Sequence, residues 1–133
     1  MESEEIENIW IEVLIPKSKG FLLGIFYRPP ETSKYLSADF NSVFKDMLQK
    51  CSNENKETNM LGDFNVNFMN NDHDKDIKSV FRLYGFKQIV RKATRITNNS
   101  ATLIDLIATN YPTFLSDCDV FPTCISDHDM VGA

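Results

Sequence analysis

Two short polar clusters in the chain contain residue types that bind metal ions and activate water. The first, Gly62-Asp63-Phe64-Asn65, directly follows an apolar stretch, and its glycine allows a sharp turn where a strand ends. Asp63 supplies a hard anionic oxygen, and Asn65 supplies an amide able to bind a phosphate oxygen or a metal-bound water. The alternative interpretation of this cluster is an Asx-rich turn without a chemical role.

The second cluster is Ser126-Asp127-His128-Asp129. Asp127 beside His128 places a metal-ligand oxygen next to a base that titrates near neutral pH. Neighbouring residues of a strand point to opposite faces, so both side chains serve one site only if this segment is a loop. The alternative is a solvated turn, and we interpret Asp129 as a surface residue.

Asp105 is the third candidate, because it interrupts the apolar run Leu103–Ala108. A buried carboxylate is costly unless it is paired or hydrogen-bonded. Two explanations stay open: a structural hydrogen-bond acceptor, or a carboxylate that orients a histidine ring. His128 is the histidine placed to be its partner, since His73 lies in a polar loop.

Tyr27 ends an apolar run just before Arg28-Pro29-Pro30. Its hydroxyl is placed to donate to a phosphate at the rim of a sheet, or the ring simply fills the strand end. Arg28 either contacts a phosphate or is simply solvated, and we favour the solvated side chain.

One basic stretch contains Lys87, Arg91, Lys92 and Arg95. It is either a solvated face or, because it precedes the Asp105 strand, a contact for a nucleic-acid backbone.

Composition and charge limit the classes of function that suit this chain. The 133 residues are 42% hydrophobic and 25% charged, as expected for one domain spanning residues 1–133. The net charge of −5 argues against a protein held to nucleic acid by a broad basic surface. It permits an enzyme that meets a phosphodiester through a metal ion, because clustered carboxylates bind such an ion.

Targeting signals are not evident. Glu2, Glu4 and Glu5 stand where a signal peptide has a basic region, and the run Phe21–Tyr27 is too short to span a bilayer. The three cysteines form no close metal-type pair, so we expect free thiols. We therefore expect an intracellular protein without a membrane partner.

The elements that position the candidate residues follow from hydrophobic periodicity. Alternation over Ile9–Ile15 and the apolar run Phe21–Tyr27 predict two strands joined as a hairpin. A helical stripe from Leu36 to Cys51 predicts a helix with Ser37 as N-cap, followed by a polar loop over Ser52–Glu57.

Later elements complete the layered arrangement. Asn59–Leu61 is interpreted as a buried strand end, and a second helix is predicted around Ile77–Tyr84, ended by Gly85 and capped by Asp72 or Asp74. Strands are predicted at Leu103–Thr109, Val120–Phe121 and Met130–Val131. We expect an α/β or α+β domain with helices covering a sheet.

These motifs, in this order, resemble the endonuclease/exonuclease/phosphatase superfamily. The motifs are Tyr27-Arg28-Pro29-Pro30, Gly62-Asp63-Phe64-Asn65, Thr102-Leu103-Ile104-Asp105-Leu106-Ile107 and Ser126-Asp127-His128. Thr94-Arg95-Ile96-Thr97 leading into the third motif resembles the endonuclease domain of non-LTR (LINE-type) retrotransposon polyproteins. The resemblance extends from about Trp10 to Val131.

The resemblance implies a four-layer sandwich of two mixed β-sheets flanked by helices. It implies Mg²⁺, sometimes Mn²⁺, as cofactor, and no organic cofactor. The implied reaction is hydrolysis of a phosphodiester, here nicking DNA to expose a 3′ hydroxyl that primes reverse transcription. The implied partners are DNA and a reverse-transcriptase region of a longer polyprotein, and the place of action on genomic DNA is the nucleus.

The resemblance also assigns roles residue by residue. Asp63 is implied to activate the attacking water or to help bind the metal, and Asn65 to steady the transition-state phosphate. Tyr27 is implied to hydrogen-bond the scissile phosphate. His128 is implied to contact the phosphate, with Asp105 orienting it.

Two further roles complete the implied site. Asp127 is similar to a metal ligand of the family, and Thr94 to a substrate-contacting threonine. The N-terminal asparagine and the metal-binding glutamate of the family have no counterpart, and Mg²⁺ prefers full oxygen ligation, so weak metal binding is expected.

We therefore expect a partial domain, truncated at both ends, with impaired or absent activity. One alternative is a non-catalytic degenerate fragment that at most binds nucleic acid or a partner. Another is a superfamily member that hydrolyses a different phosphodiester or a phosphomonoester. A purely structural α/β domain is the remaining possibility.

Overall fold

The computed structural model describes residues 6–70, 75–113 and 117–133, and shows the expected α/β fold. Its elements are β1 (Glu7–Val13), β2 (Phe21–Tyr27), α1 (Phe40–Glu54), β3 (Glu57–Asp63), α2 (Lys75–Leu83), β4 (Lys87–Gln88), β5 (Arg95–Ile96), β6 (Ala101–Thr102), β7 (Asp105–Thr109), β8 (Asp119–Phe121) and β9 (Met130–Gly132). The main sheet is mixed and five-stranded, in the order β1-β2-β3-β7-β4, and the two helices flank it. Two small two-stranded sheets, β5-β6 and β8-β9, accompany it.

The predicted hairpin of β1 and β2 is confirmed as an antiparallel pair. Trp10 points toward the helices and meets the Phe26 ring edge-on, at 5.5 Å between centroids. Gly24 lies opposite Trp10, and a Cβ at Gly24 would come within 2.9 Å of that indole. Ile9 and Ile25, which are in register on the other face, are 55% and 41% exposed. The isoleucine side of the hairpin therefore faces outward, because the aromatic residues fill the core.

Helix α1 covers the sheet through one apolar stripe that includes Phe44, Met47 and Leu48. It begins later than the sequence predicted, with Asp39 at the N-cap, while the Ser37 hydroxyl accepts the backbone N–H of Asp39 at 3.2 Å. The helix also continues through Ser52–Glu54, a stretch expected to be a loop. It ends where Asn55 adopts a left-handed conformation, which asparagine tolerates.

Helix α2 buries Ile77 and Phe81 against the same core. The predicted stop at Gly85 is confirmed: its φ is 72°, and the Phe86 N–H bonds the Phe81 carbonyl at 2.8 Å, as in a helix ended by a left-handed residue. The capping residues proposed for the start of this helix, Asp72 and Asp74, lie outside the described residues, as does His73.

The strand predicted at Leu103–Thr109 starts at Asp105, because two backbone amides before it bond side chains instead. The Leu103 N–H donates to Asn67 Oδ1 at 3.1 Å, and the Ile104 N–H donates to Thr94 Oγ1 at 3.2 Å. The predicted strands at Val120–Phe121 and Met130–Val131 are confirmed as β8 and β9, which pair with each other. In the part of the chain that is described, no helix has the length and apolarity to cross a membrane.

Candidate active site

Three of the candidate residues form one row across the sheet. Tyr27 of β2 is in register with Asp63 of β3, and Asp63 is in register with Asp105 of β7. Residues directly opposite one another on neighbouring strands share a face. The sheet therefore brings a phenol and two carboxylates side by side at the end of β2 and β3.

Gly62 makes this row possible. Its φ of 155° is one that side-chain-bearing residues rarely adopt, and a Cβ there would lie 1.9 Å from the Phe26 carbonyl oxygen. Because the obstacle is backbone, no side-chain movement would relieve it. Glycine lets β3 keep its close approach to β2 up to Asp63, whose carbonyl accepts the Arg28 N–H at 2.8 Å.

Asn65 holds the Asp63 carboxylate in place. It sits at φ 48°, and its backbone N–H donates to Asp63 Oδ1 at 2.8 Å. Its side-chain nitrogen donates to Asp63 Oδ2 at 3.2 Å and to the Arg28 carbonyl at 3.0 Å. The segment is an Asx turn, and in this arrangement the amide orients Asp63 rather than pointing its hydrogens at an open cleft.

Burial raises the pKa of Asp63 above its ordinary value, and the nearby Asp105 charge raises it further. The Asn65 N–H and the charges of His128 and Arg95 act in the opposite direction. The balance gives a carboxylate that accepts a proton more readily than a free aspartate, as a general base requires.

Asp105 and His128 form the hydrogen-bonded pair suggested by the sequence. His128 Nδ1 lies 3.0 Å from Asp105 Oδ2 and 3.3 Å from Oδ1. A carboxylate accepts, so the ring proton of this contact is on Nδ1, and Nε2 is left for a ligand. His128 lies on a loop, where its N–H donates to Ser126 Oγ at 3.0 Å and its backbone bridges to Arg95.

Thr94 holds the backbone next to both members of the Asp105–His128 pair. Its fully buried hydroxyl oxygen accepts the N–H groups of Ile104 and Asp105 at 3.2 and 3.0 Å. Its carbonyl accepts the Asp129 N–H at 2.7 Å, which ties in the His128 loop. A fully buried hydroxyl presents no surface to a substrate, so this structure gives Thr94 a positioning role in place of the implied substrate contact.

Asp127 is bound to Arg95 instead of lying with the other acids. Its Oδ2 accepts from Arg95 Nε at 2.6 Å, and the guanidinium holds the pKa of Asp127 below its ordinary value. Arg95 also acts electrostatically on Asp63 and Asp105. This cation at the rim was not singled out from the sequence, although it belonged to the basic stretch.

Arg28 is buried, contrary to the expectation of a solvated side chain. Its guanidinium pairs with Glu31, lies over the Phe40 ring at 5.4 Å, and approaches the Phe64 carbonyl at 3.5 Å. These contacts offset the loss of hydration, so Arg28 supports the turn beneath Asp63 and Asn65.

The side chains of Asp63, Asp105 and His128 fit a divalent cation. One ligand atom from each lies within 4.8 Å of the others. Carboxylate oxygens suit Mg²⁺ and Mn²⁺, and an imidazole nitrogen is a common further ligand. Three protein donors leave the remaining positions of an octahedral ion to water and to a substrate phosphate.

Neither a protein-family model nor a curated protein sequence matches the chain. Solved structures do. The endonuclease domain of TRAS1, a telomere-specific non-LTR retrotransposon, superposes with a TM-score of 0.73 at 10% identity, over 93% of this chain. An endonuclease/exonuclease/phosphatase family protein from Leptotrichia buccalis gives 0.64 at 11% identity, again over 93%. A beta toxin mutant from Staphylococcus aureus with bound magnesium ions gives 0.52 at 12% identity, over 79%.

The chain therefore has the fold of these proteins, and the fold implied by the sequence resemblance is confirmed. It spans 59%, 52% and 42% of the lengths of these three chains. At such low identities the likeness concerns the fold, and the activity has to be argued from the site.

Proposed function

We propose that this chain carries the catalytic site of a divalent-metal-dependent phosphodiesterase that nicks DNA. The observation that supports it most is the grouping of Asp63, Asp105 and His128, whose ligand atoms lie within 4.8 Å of one another on the row that starts at Tyr27. A carboxylate of raised pKa, an oriented imidazole and a phenol at one strand end suit hydrolysis of a phosphate ester.

Each side chain has a distinct part in that reaction. Asp63 removes a proton from the attacking water, for which its raised pKa suits it. In its imidazolium form His128 donates Nε2–H to a phosphate oxygen, while Asp105 accepts the Nδ1–H and stabilises the positive ring. Tyr27, 40% exposed, donates its hydroxyl to the same phosphate. Water adds to phosphorus as its proton passes to Asp63, the P–O3′ bond breaks, and the departing oxygen takes a proton from solvent water to become a 3′ hydroxyl.

The Asp63 and Asp105 carboxylates would hold Mg²⁺ or Mn²⁺, and the neighbouring His128 stays available for the phosphate. When bound, the cation supplies positive charge that offsets the charge developing on the phosphate. Asp127, expected from the resemblance to be a ligand, is engaged with Arg95. Two carboxylates without Asp127 bind a hard cation weakly, so the proposed activity of this chain is low.

The substrate assignment rests on the likeness to the TRAS1 endonuclease domain. In that context a nick would prime reverse transcription by another region of the same polyprotein, in the nucleus. A second candidate is hydrolysis of a phosphomonoester, since the Leptotrichia buccalis protein belongs to a family named for phosphatases as well as nucleases. The third is a degenerate chain that binds nucleic acid without cleaving it.

A substrate panel separates these candidates. The chain is incubated with end-labelled duplex DNA, bis-p-nitrophenyl phosphate and p-nitrophenyl phosphate, each with Mg²⁺, Mn²⁺ or EDTA. We expect metal-dependent cleavage of the two diesters, lost in His128→Ala and kept in Asp46→Ala, an exposed residue of α1. Turnover of the monoester alone would support the phosphatase, and turnover of none would support the non-catalytic chain.

A further inference from the structure

A groove lined by basic side chains runs along β4, the edge strand opposite β1. Two cavities of about 270 and 350 Å³ adjoin there, since Lys87 and Gln88 line both. Lys78 and Arg82 line the first, and Arg91 lines the second. We name Lys78, Arg82, Lys87, Gln88 and Arg91 the basic groove. Asp117 is the one carboxylate among the side chains that line it.

Among the side chains described, those of residues 6–70, 77–113 and 117–133, no acid forms an ion pair with any of the four cations of the basic groove. Lys92 and Arg95 beyond it do pair with acids. Lys78 donates to the carbonyl oxygens of Phe68 and Asn70, at 3.3 and 2.7 Å. Because the whole chain carries a charge of −5, this concentration of unpaired cations is a local feature.

The basic groove leads toward the candidate active site. Lys87 is in register with Thr109 at the far end of β7, and the Ile89 N–H bonds the Ile107 carbonyl at 2.9 Å. Thr94 then bonds the amide of Asp105, at the end of β7 that carries the site. The segment from Lys87 to Arg95 therefore runs the length of β7 to the site. Fully extended it spans at most about 26 Å.

We propose that the basic groove binds the backbone phosphates of duplex DNA on one side of the bond held at the Asp63–Asp105–His128 site. This inference deepens the proposed function and rests on its assignment of DNA as substrate. A strand advances about 3.4 Å per phosphate, so a span of at most about 26 Å reaches no more than roughly eight nucleotides. An acidic peptide offers the same charge, but cations on a segment that runs along β7 to a candidate phosphodiester site favour the polynucleotide.

The test measures binding without turnover. Affinity for a labelled duplex is determined in EDTA across a salt series, for the wild-type chain, Lys87→Gln/Arg91→Gln and a control, Lys45→Gln/Lys50→Gln. The control removes the same charge from exposed residues of α1. We expect the groove variant to bind about tenfold more weakly, and its slope of log affinity against log salt to be smaller by about two. The control should bind like the wild type.

Other outcomes overturn the inference. Equal weakening in both double variants would assign binding to net charge, and salt-insensitive binding by the wild type would exclude phosphate contacts. Displacement of DNA by poly-glutamate at equal charge concentration would favour an acidic peptide. The proposed function is tested separately. If the chain binds DNA through the basic groove yet cleaves no phosphate ester with any metal, the binding proposal stands and the catalytic proposal is wrong.

Discussion

Asp105 Oδ2 lies 3.0 Å from His128 Nδ1, although 23 positions separate the two residues along the chain. Asp105 starts β7, and His128 lies on a loop that bridges to Arg95. Thr94, next to Arg95, accepts the amide of Asp105. The pair is therefore a product of the tertiary fold, held by backbone hydrogen bonds on both sides.

Replacing the carboxylate of this pair should remove catalysis without removing the fold. Asp105→Asn keeps the size of the side chain but no longer stabilises the Nδ1–H tautomer or a positive charge on the ring. We expect kcat for a diester substrate to fall by about 10²–10³-fold, with the thermal midpoint within a few degrees of wild type. Steady-state kinetics with Mn²⁺ measures this. Unchanged kcat would make Asp105 a structural acceptor only.

The hydroxyl oxygen of Thr94 should stabilise the folded chain. Thr94→Val keeps the shape but leaves the amides of Ile104 and Asp105 without their acceptor. We expect a loss of about 2 kcal/mol in the free energy of unfolding, measured by urea denaturation. Thr94→Ser, which retains the oxygen, should lose about 0.8 kcal/mol for one buried methyl. Equal losses in the two variants would refute the positioning role.

The ionised Asp63 side chain should destabilise the folded chain at neutral pH. Its pKa is raised, so the unfolded chain ionises first as pH rises, and the penalty is complete above the folded pKa. In EDTA at pH 7, Asp63→Asn should melt at a higher temperature than wild type, and the difference should vanish below about pH 3, where both states are protonated. Calorimetry over a pH series checks this. A lower midpoint for the variant at pH 7 would contradict it.

The pKa of Asp127 should depend on Arg95. The guanidinium lowers it, so the pair stabilises the folded chain above the ordinary aspartate pKa and loses that effect as pH falls through the lower, folded value. In Arg95→Gln, a carboxyl ¹³C NMR titration should show the Asp127 pKa returning toward about 3.9. Lys92→Gln should instead shift Asp119, its own partner. An Asp127 titration unaffected by Arg95→Gln would exclude the ion pair in solution.

The exposed isoleucine pair should promote self-association. Ile9 and Ile25 lie in register on an uncovered part of the sheet, where apolar side chains attract further apolar surface. Ile9→Thr/Ile25→Thr keeps the preference for strand but reduces that surface. Sedimentation velocity should show fewer oligomers for the variant at equal concentration. A wild-type chain that is monomeric throughout would contradict the expectation.

The sequence predicts the longer elements and the central pairing well. Alternation and apolar runs identify β1, β2 and β7, and an aspartate inside an apolar run identifies Asp105 as a partner for His128. These features depend on local pattern and on the cost of burying a charge, which are both visible in the residues themselves.

The remaining features depend on contacts between distant residues. The two-residue strands β4, β5 and β6 are too short to show periodicity. The burial of Arg28 depends on a ring from α1, and the engagement of Asp127 depends on Arg95, 32 positions away. No local signal distinguishes such residues from solvated ones.

We propose that Asp63 belongs to a metal-dependent site for cleaving DNA. The most direct test is nicking of supercoiled plasmid by the purified chain in molar excess, with Mg²⁺ or Mn²⁺, with EDTA, and with Asp63→Ala and Asp46→Ala alongside. We predict slow relaxation that requires the metal, disappears in Asp63→Ala and persists in Asp46→Ala. A folded, monodisperse chain that leaves the plasmid supercoiled under every metal condition, or nicking that survives Asp63→Ala, would contradict the claim.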